Sequence, residues 1–174
     1  MRLFIAVKVP PALHPAISSA ASHLHERMGV RLLPPDSWHM TLRFIGDVGG
    51  EMAKEIETAL AGVKFSPFAV RLRGAGAYPN AHFPRAIYIG GESQGAEALA
   101  AEIERALLPF ALKTEKFSVH VTVAQSRGAG DIGDFVKNTG DVGQFEARSF
   151  CLMESRLLPQ GASHEVLREY AAEA

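Results

Sequence analysis

Apolar and polar residues alternate over Arg2–Val9, a run rich in β-formers, and the pattern predicts a strand ended by Pro10-Pro11. The period then lengthens. Leu13, Ile17, Ala20, Ala21 and Leu24 share one helical face within Ala12–Met28, and Gly29 supplies the stop. Pro34-Pro35-Asp36 reads as a turn, after which Trp38–Ile45 alternates again and Gly46-Asp47 closes the run. Met52, Ile56, Ala59 and Leu60 predict a helix over Glu51–Val63. Phe68, Val70 and Leu72 oppose Arg71 and Arg73 in a strand that Gly74-Ala75-Gly76 is expected to break. Ala86–Ile89 forms a short strand, and Ser93 caps a helix running to about Leu108, before Pro109. The second half follows with a strand at Phe117–Ala124, a short helix or loop at Asp131–Lys137 and a strand at Gln144–Met153. Glu154–Leu158 leads into a turn at Pro159-Gln160-Gly161, and His164–Glu169 is the last strand. The order β-α-β-α-β, β-α-β-α-β-β predicts an α+β fold of two similar halves, with no linker rich in Ser, Gly or Pro between them.

One short pattern recurs across these halves. Ser37-Trp38-His39-Met40-Thr41-Leu42 and Ser118-Val119-His120-Val121-Thr122-Val123 both read Ser, apolar, His, apolar, Thr, apolar, with the histidines 81 residues apart. A strand turns alternate side chains to one face, so each segment buries its apolar positions and presents one imidazole and one hydroxyl together. Seven histidines and five threonines scattered at random give about 0.2 His-x-Thr triplets, so two in matched settings point to a shared role. Either motif alone would be a half-exposed strand histidine. As a pair across a cleft they suit phosphodiester hydrolysis. A neutral imidazole takes a proton from water, a protonated one gives a proton to the leaving alkoxide, and Thr41 and Thr122 donate to non-bridging oxygens. No step demands a metal or cofactor.

Composition narrows the setting. The 174 residues, 47% apolar and 21% charged, fit one soluble unit or two small lobes sharing a core, large enough to fold without a disulfide or metal staple. The lone Cys151 cannot pair internally, which suits a reducing compartment, and its place in the apolar run Ser149–Met153 makes it a small core residue. The N-terminal apolar stretch is short and broken by Lys8 and Pro10, so neither a secretory leader nor a membrane span is expected, and the cytoplasm is the expected address. A net charge of −1 and a pI near 6.7 argue against broad charge-driven binding to nucleic acid, but not against a grip on one nucleic-acid end by a few local cations.

The two His-x-Thr segments, with Met-Arg-Leu-Phe-Ile-Ala at the start, resemble the two-histidine phosphoesterase superfamily, and most closely its RNA 2′,3′-cyclic phosphodiesterases, also called 2′-5′ RNA ligases. Trp38–Gly46, Phe83–Gly90 and Ser155–Gly161 carry the likeness along nearly the whole chain. The resemblance implies a single bilobal domain over residues 1–174, two pseudo-symmetric lobes of mostly antiparallel sheet with outer helices around a central groove. It implies a monomer that opens the 2′,3′-cyclic phosphate of RNA, tRNA fragments among the substrates, to a 2′-phosphate, with 2′-5′ ligation as the reverse reaction. His39 matches the general acid and His120 the base. Other cyclic nucleotides, 2′-5′ oligoadenylates or simple RNA-end binding are the alternative uses of such a groove. One departure bears on phosphate binding: the family's Ala-Arg after the second motif is here Ala124-Gln125. Val119 also stands where the family often has Pro.

Further candidates surround the motifs. Arg43 follows the first motif at period two and is expected on the face of His39 and Thr41, supplying charge to the groove or standing in solvent. Arg127 is two residues beyond Gln125 and either reaches the same face, if the strand continues, or is a solvated loop charge. Arg85 holds substrate or pairs with a carboxylate, and Tyr78, in a Gly/Pro-rich loop, stacks on a terminal base or simply packs. His14, His23 and His25 are expected on the helix surface, and His164 is expected to be structural. No His-x-His or His-Glu-x-x-His metal motif and no phosphate-binding loop with its lysine is present.

Overall fold

In the computed structural model residues 1–27, 29–128 and 130–174 are described, without the side chains of His25 and Glu26; Met28, which ends the expected first helix, and the expected surface position of His25 fall outside these. Among the described residues nine strands form one antiparallel sheet: β1 (Arg2–Lys8), β2 (Val30–Leu32), β3 (His39–Asp47), β4 (Phe68–Tyr78), β5 (Ala86–Glu92), β6 (His120–Ser126), β7 (Asp141–Ala147), β8 (Ser149–Leu158) and β9 (Gly161–Ala171). Their order is β7-β4-β5-β6-β3-β1-β8-β9, with β2 attached to β6. Helices α1 (His14–Ala21), α2 (Gly50–Ala61), α3 (Gln94–Leu107) and α4 (Gly133–Asn138) accompany it. Apolar residues of the first three, among them Ile17, Ile56, Leu60, Leu99 and Ile103, join Ile5, Leu72, Ile87, Ile89 and Val121 of the strands in the main core. Phe4, Ala6, Cys151 and Met153 form a smaller cluster apart from it, which agrees with the reading of Cys151 as a packed residue.

The expected two lobes are halves of one curled sheet. Along that order four strands lie on either side of the β6–β3 contact, with β2 added on the β6 side, and the contact is a single residue pair, Met40 with Val121. The chain also passes from β7, at one edge, to β8, next to the far edge, through Arg148 alone. Only a sheet whose two edges curl toward each other allows that. The expected single strand at Gln144–Met153 is therefore two strands belonging to opposite ends of the sheet.

Other differences have local causes. The first helix stops at Ala21 and tightens into a 3₁₀ turn over Ser22–Glu26. The strand predicted to end at Gly74 continues to Tyr78, because Gly74, at φ 72°, is absorbed in a bulge and its N–H donates to the Gly140 carbonyl at 2.9 Å. Ser93 behaves as expected: its hydroxyl accepts from the Ala96 N–H at 3.0 Å and donates to the Ala69 carbonyl at 2.6 Å, tying α3 to β4.

Candidate active site

Met40 and Val121 are both fully buried, and their antiparallel pairing decides what faces the groove. Antiparallel register around that pair sets Thr41 across from His120 and His39 across from Thr122. The two histidines are thus diagonal neighbours, roughly 7–8 Å apart at the backbone, with a hydroxyl beside each. All four side chains are partly buried.

Both rings are oriented in the same way. His39 Nδ1 lies 2.8 Å from the Ser37 carbonyl and His120 Nδ1 lies 3.1 Å from the Ser118 carbonyl. A carbonyl only accepts, so in each case Nδ1–H donates and Nε2 is left as the position where a proton is gained or lost. The serines differ in detail: Ser37 Oγ donates to the Pro34 carbonyl at 2.7 Å and closes the turn, whereas Ser118 Oγ lies 3.2 Å from His120 Nδ1. Each imidazole also rests on two other rings. Phe4 and His164 lie 5.1 Å from His39, and Tyr88 and Tyr78 lie 5.3 and 5.8 Å from His120. Tyr88 fits because it crosses Gly76, where any Cβ would run into its hydroxyl.

Burial separates His39 from an ordinary histidine. Loss of water lowers its pKa to about 4; the Ser37 carbonyl opposes this, and the charges of His164 and His120 add to it. His164 is itself lowered by burial. A groove of about 350 Å³ runs beside His120, lined by Thr41, Tyr78, Lys116, Phe117, Ser118 and Thr122 among others.

A family profile described as LigT like Phosphoesterase matches residues 7–88. An RNA 2′,3′-cyclic phosphodiesterase of Archaeoglobus fulgidus is 33% identical over 98% of this chain and 99% of its own length. The chain belongs to the LigT-like phosphoesterase family. A second RNA 2′,3′-cyclic phosphodiesterase, from Aeropyrum pernix, is 35% identical over 85% of this chain and 89% of its own. The crystal structure of TT0787 of Thermus thermophilus superposes with a TM-score of 0.86 at 25% identity, covering 98% of this chain and 97% of that one.

Within this LigT-like frame the remaining predicted residues scatter. Arg43 borders the groove beside His120, but its side chain is buried rather than presented on the face of His39 and Thr41. Opposite the unbroken alternation of β1, Ala6 pairs with Thr41 but Ile5 pairs with Arg43, so β3 carries an extra residue at Leu42–Arg43. The bulge turns Arg43, 5% exposed, toward the core side and puts Phe44, 52% exposed, where Arg43 was expected. Its guanidinium is engaged by Glu104 at 2.6 Å, by the Lys113 carbonyl at 2.5 Å and by the Phe44 carbonyl. Strand β6 repeats the device: Tyr88 pairs with Thr122 but Ile87 with Ala124, which returns Gln125 to the groove face. The strand ends at Ser126, so Arg127 lies beyond it, exposed. Arg85 is exposed and precedes β5, its backbone bridging Tyr78 and Ser126. Tyr78 ends β4 on the groove, against Tyr88 and His120.

Four features of the site escaped the reading of the sequence. His164 contacts His39 through a hairpin curl that no local pattern encodes. Tyr88 and Lys8 were in reach of period-two reasoning once their strands were aligned with the motifs: Tyr88 pairs with Thr122 and Lys8 with His39. The fourth is Arg31, which pairs with Gln125. His14 is half-buried rather than on the surface, its Nε2 3.2 Å from the Val9 carbonyl and its ring edge-on to Trp38.

Proposed function

We propose that the chain hydrolyses the 2′,3′-cyclic phosphate at the end of an RNA, leaving a 2′-phosphate and a free 3′-hydroxyl. The observation that carries this reading is the crossed pair of His-x-Thr segments, with both Nδ1 atoms donating to carbonyls and both Nε2 atoms left for proton transfer. Water attacks phosphorus while His120 Nε2 takes its proton; the P–O3′ bond breaks and His39 Nε2–H protonates O3′. Thr41 and Thr122 donate to the two non-bridging oxygens as charge builds on them. Tyr78 gives the terminal base a ring to stack on.

His39 is neutral near pH 7 in the free chain, so its role as acid needs a proton taken up from solvent as the substrate binds. The cyclic phosphate is an anion, and an opposite charge beside a buried imidazole favours the protonated form. With a 5′-hydroxyl in place of water, the same steps run to a 2′-5′ linkage, a weak side reaction of the same groove.

The test is a short RNA with a 2′,3′-cyclic end. Phosphorus NMR of the product is expected to place the phosphate on O2′, with or without EDTA. Product phosphate on O3′, or an unchanged substrate, would sink the proposal. An aryl phosphodiester, whose leaving group needs no proton, separates the roles: His39→Ala is expected to keep more of its turnover on that substrate than His120→Ala does.

A further inference from the structure

Beyond the reacting pair, the groove face of β6 continues to a cleft of about 670 Å³ between β2, the end of β6 and the tip of the β8–β9 hairpin. Gln125 stands on the face of His120 and Thr122, roughly 10 Å along the strand from Thr122. Arg31 of β2 lies opposite it, and its Nη2 donates to Gln125 Oε1 at 2.7 Å while Nη1 donates to the Gln160 carbonyl at 3.3 Å. Both acceptors are neutral. Arg27, Arg43, Arg71, Arg73, Arg105, Arg148 and Arg156 each have a carboxylate partner; among the described residues Arg2, Arg31, Arg85, Arg127 and Arg168 have none, and of these Arg31 and Arg127 share this cleft. In a chain of net charge −1, two unneutralised guanidiniums in one cleft are a concentrated positive spot.

The cleft is shaped as well as charged. At Gly161 a Cβ would come 3.2 Å from Arg31 Nη1, so a side chain there would crowd the guanidinium where the hairpin tip meets it. Leu157, 79% exposed, and Leu158, 42% exposed, line the other side. Guanidinium beside open apolar surface suits a phosphodiester with its sugar and base, and a mononucleotide confined to the histidine pair would leave it empty.

We infer that this cleft holds the RNA chain on the 5′ side of the cyclic end, with Arg31 and Arg127 on the phosphate of the preceding nucleotide. The inference rests on the hydrolytic reading of the site, and it makes the enzyme a reader of polymer ends. Arg31 also places a guanidinium next to position 125, whose own side chain is a neutral amide.

The experiment compares kcat/KM for 2′,3′-cyclic AMP with that for an RNA trinucleotide ending in the same cyclic nucleotide. Wild type is expected to favour the trinucleotide at least tenfold, and Arg31→Ala and Arg127→Ala each to cut that ratio several-fold. The salt slope for the trinucleotide is expected to fall by about 0.7 per lost contact. Equal losses on both substrates, or an unchanged ratio, overturn the inference. If neither compound is turned over, the hydrolytic reading fails instead. Calorimetric binding of the trinucleotide bearing a plain 2′-phosphate then tests the cleft alone: Arg31→Ala is expected to weaken it several-fold, and wild-type affinity in the variant overturns it.

Discussion

His39 and His120 share a motif, a carbonyl partner and a pair of ring neighbours, yet their surroundings differ. His39 packs against Phe4 and His164, which also touch each other, beside the small cluster of Ala6, Cys151 and Met153, and burial lowers it to about 4. Whichever role it takes, one limb of the kcat/KM profile is expected near pH 4, because kcat/KM reports the free enzyme. The corresponding limb of kcat is expected higher, since bound phosphate raises the group. Histidine proton NMR in the absence and presence of inorganic phosphate checks both; a His39 titrating near 6.5 without ligand contradicts the burial argument. The same group links stability to pH. Between 6.5 and 4 the unfolded chain binds a proton that the folded chain does not, so this position makes stability fall as pH falls through that window. His39→Gln is expected to flatten that part of the curve, as read by denaturant unfolding at several pH values.

At the scale of elements, two bulges decide which side chains reach the groove. The extra residue in β3 sends Arg43 to Glu104 of α3, so its charge holds a helix to the sheet. Arg43→Ala strands a carboxylate and two carbonyls. Glu104 is about a third exposed and can rehydrate, so the loss is expected at the lower end for a broken buried pair, about 3 kcal/mol by denaturant unfolding. Turnover of a cyclic mononucleotide by the folded variant is expected to stay within a few-fold of wild type; a collapse of kcat/KM without loss of stability would put Arg43 back in the groove. These bulges mark the boundary of what the chain's pattern revealed. His39, Thr41, His120 and Thr122 were legible because they precede the bulges, where period two holds without interruption. Arg43 and Gln125 follow them, and a bulge is a property of the pair of strands rather than of one. The split at Arg148 was hidden for a similar reason. No turn residue separates β7 from β8, since the chain changes partners without changing course. Contacts made by the curled hairpin, His164 on His39 and Gln160 on Arg31, join residues more than a hundred positions apart and leave no local trace.

For the whole molecule, the proposed mechanism makes the pseudo-symmetry functional, because neither half then holds a complete site. One half supplies His39 and Thr41, the other His120 and Thr122, and they meet at one residue pair. His39→Ala and His120→Ala are each expected to lower kcat/KM on the cyclic-phosphate RNA by about 10²–10⁴-fold. If the two imidazoles acted in separate events, the double variant would lose the product of those factors. In the proposed mechanism they act instead on one phosphorus in one proton-transfer cycle, and removing either leaves the other without its complementary step. The double variant is therefore expected to lose little more than the worse single variant. His120 lines the groove and both rings are only partly buried, so unfolding midpoints are expected to stay close to wild type, which separates lost chemistry from lost fold. Multiplied losses in a folded double variant would mean that the halves contribute independently, and the symmetry would then be an inheritance of the fold with no part in the reaction.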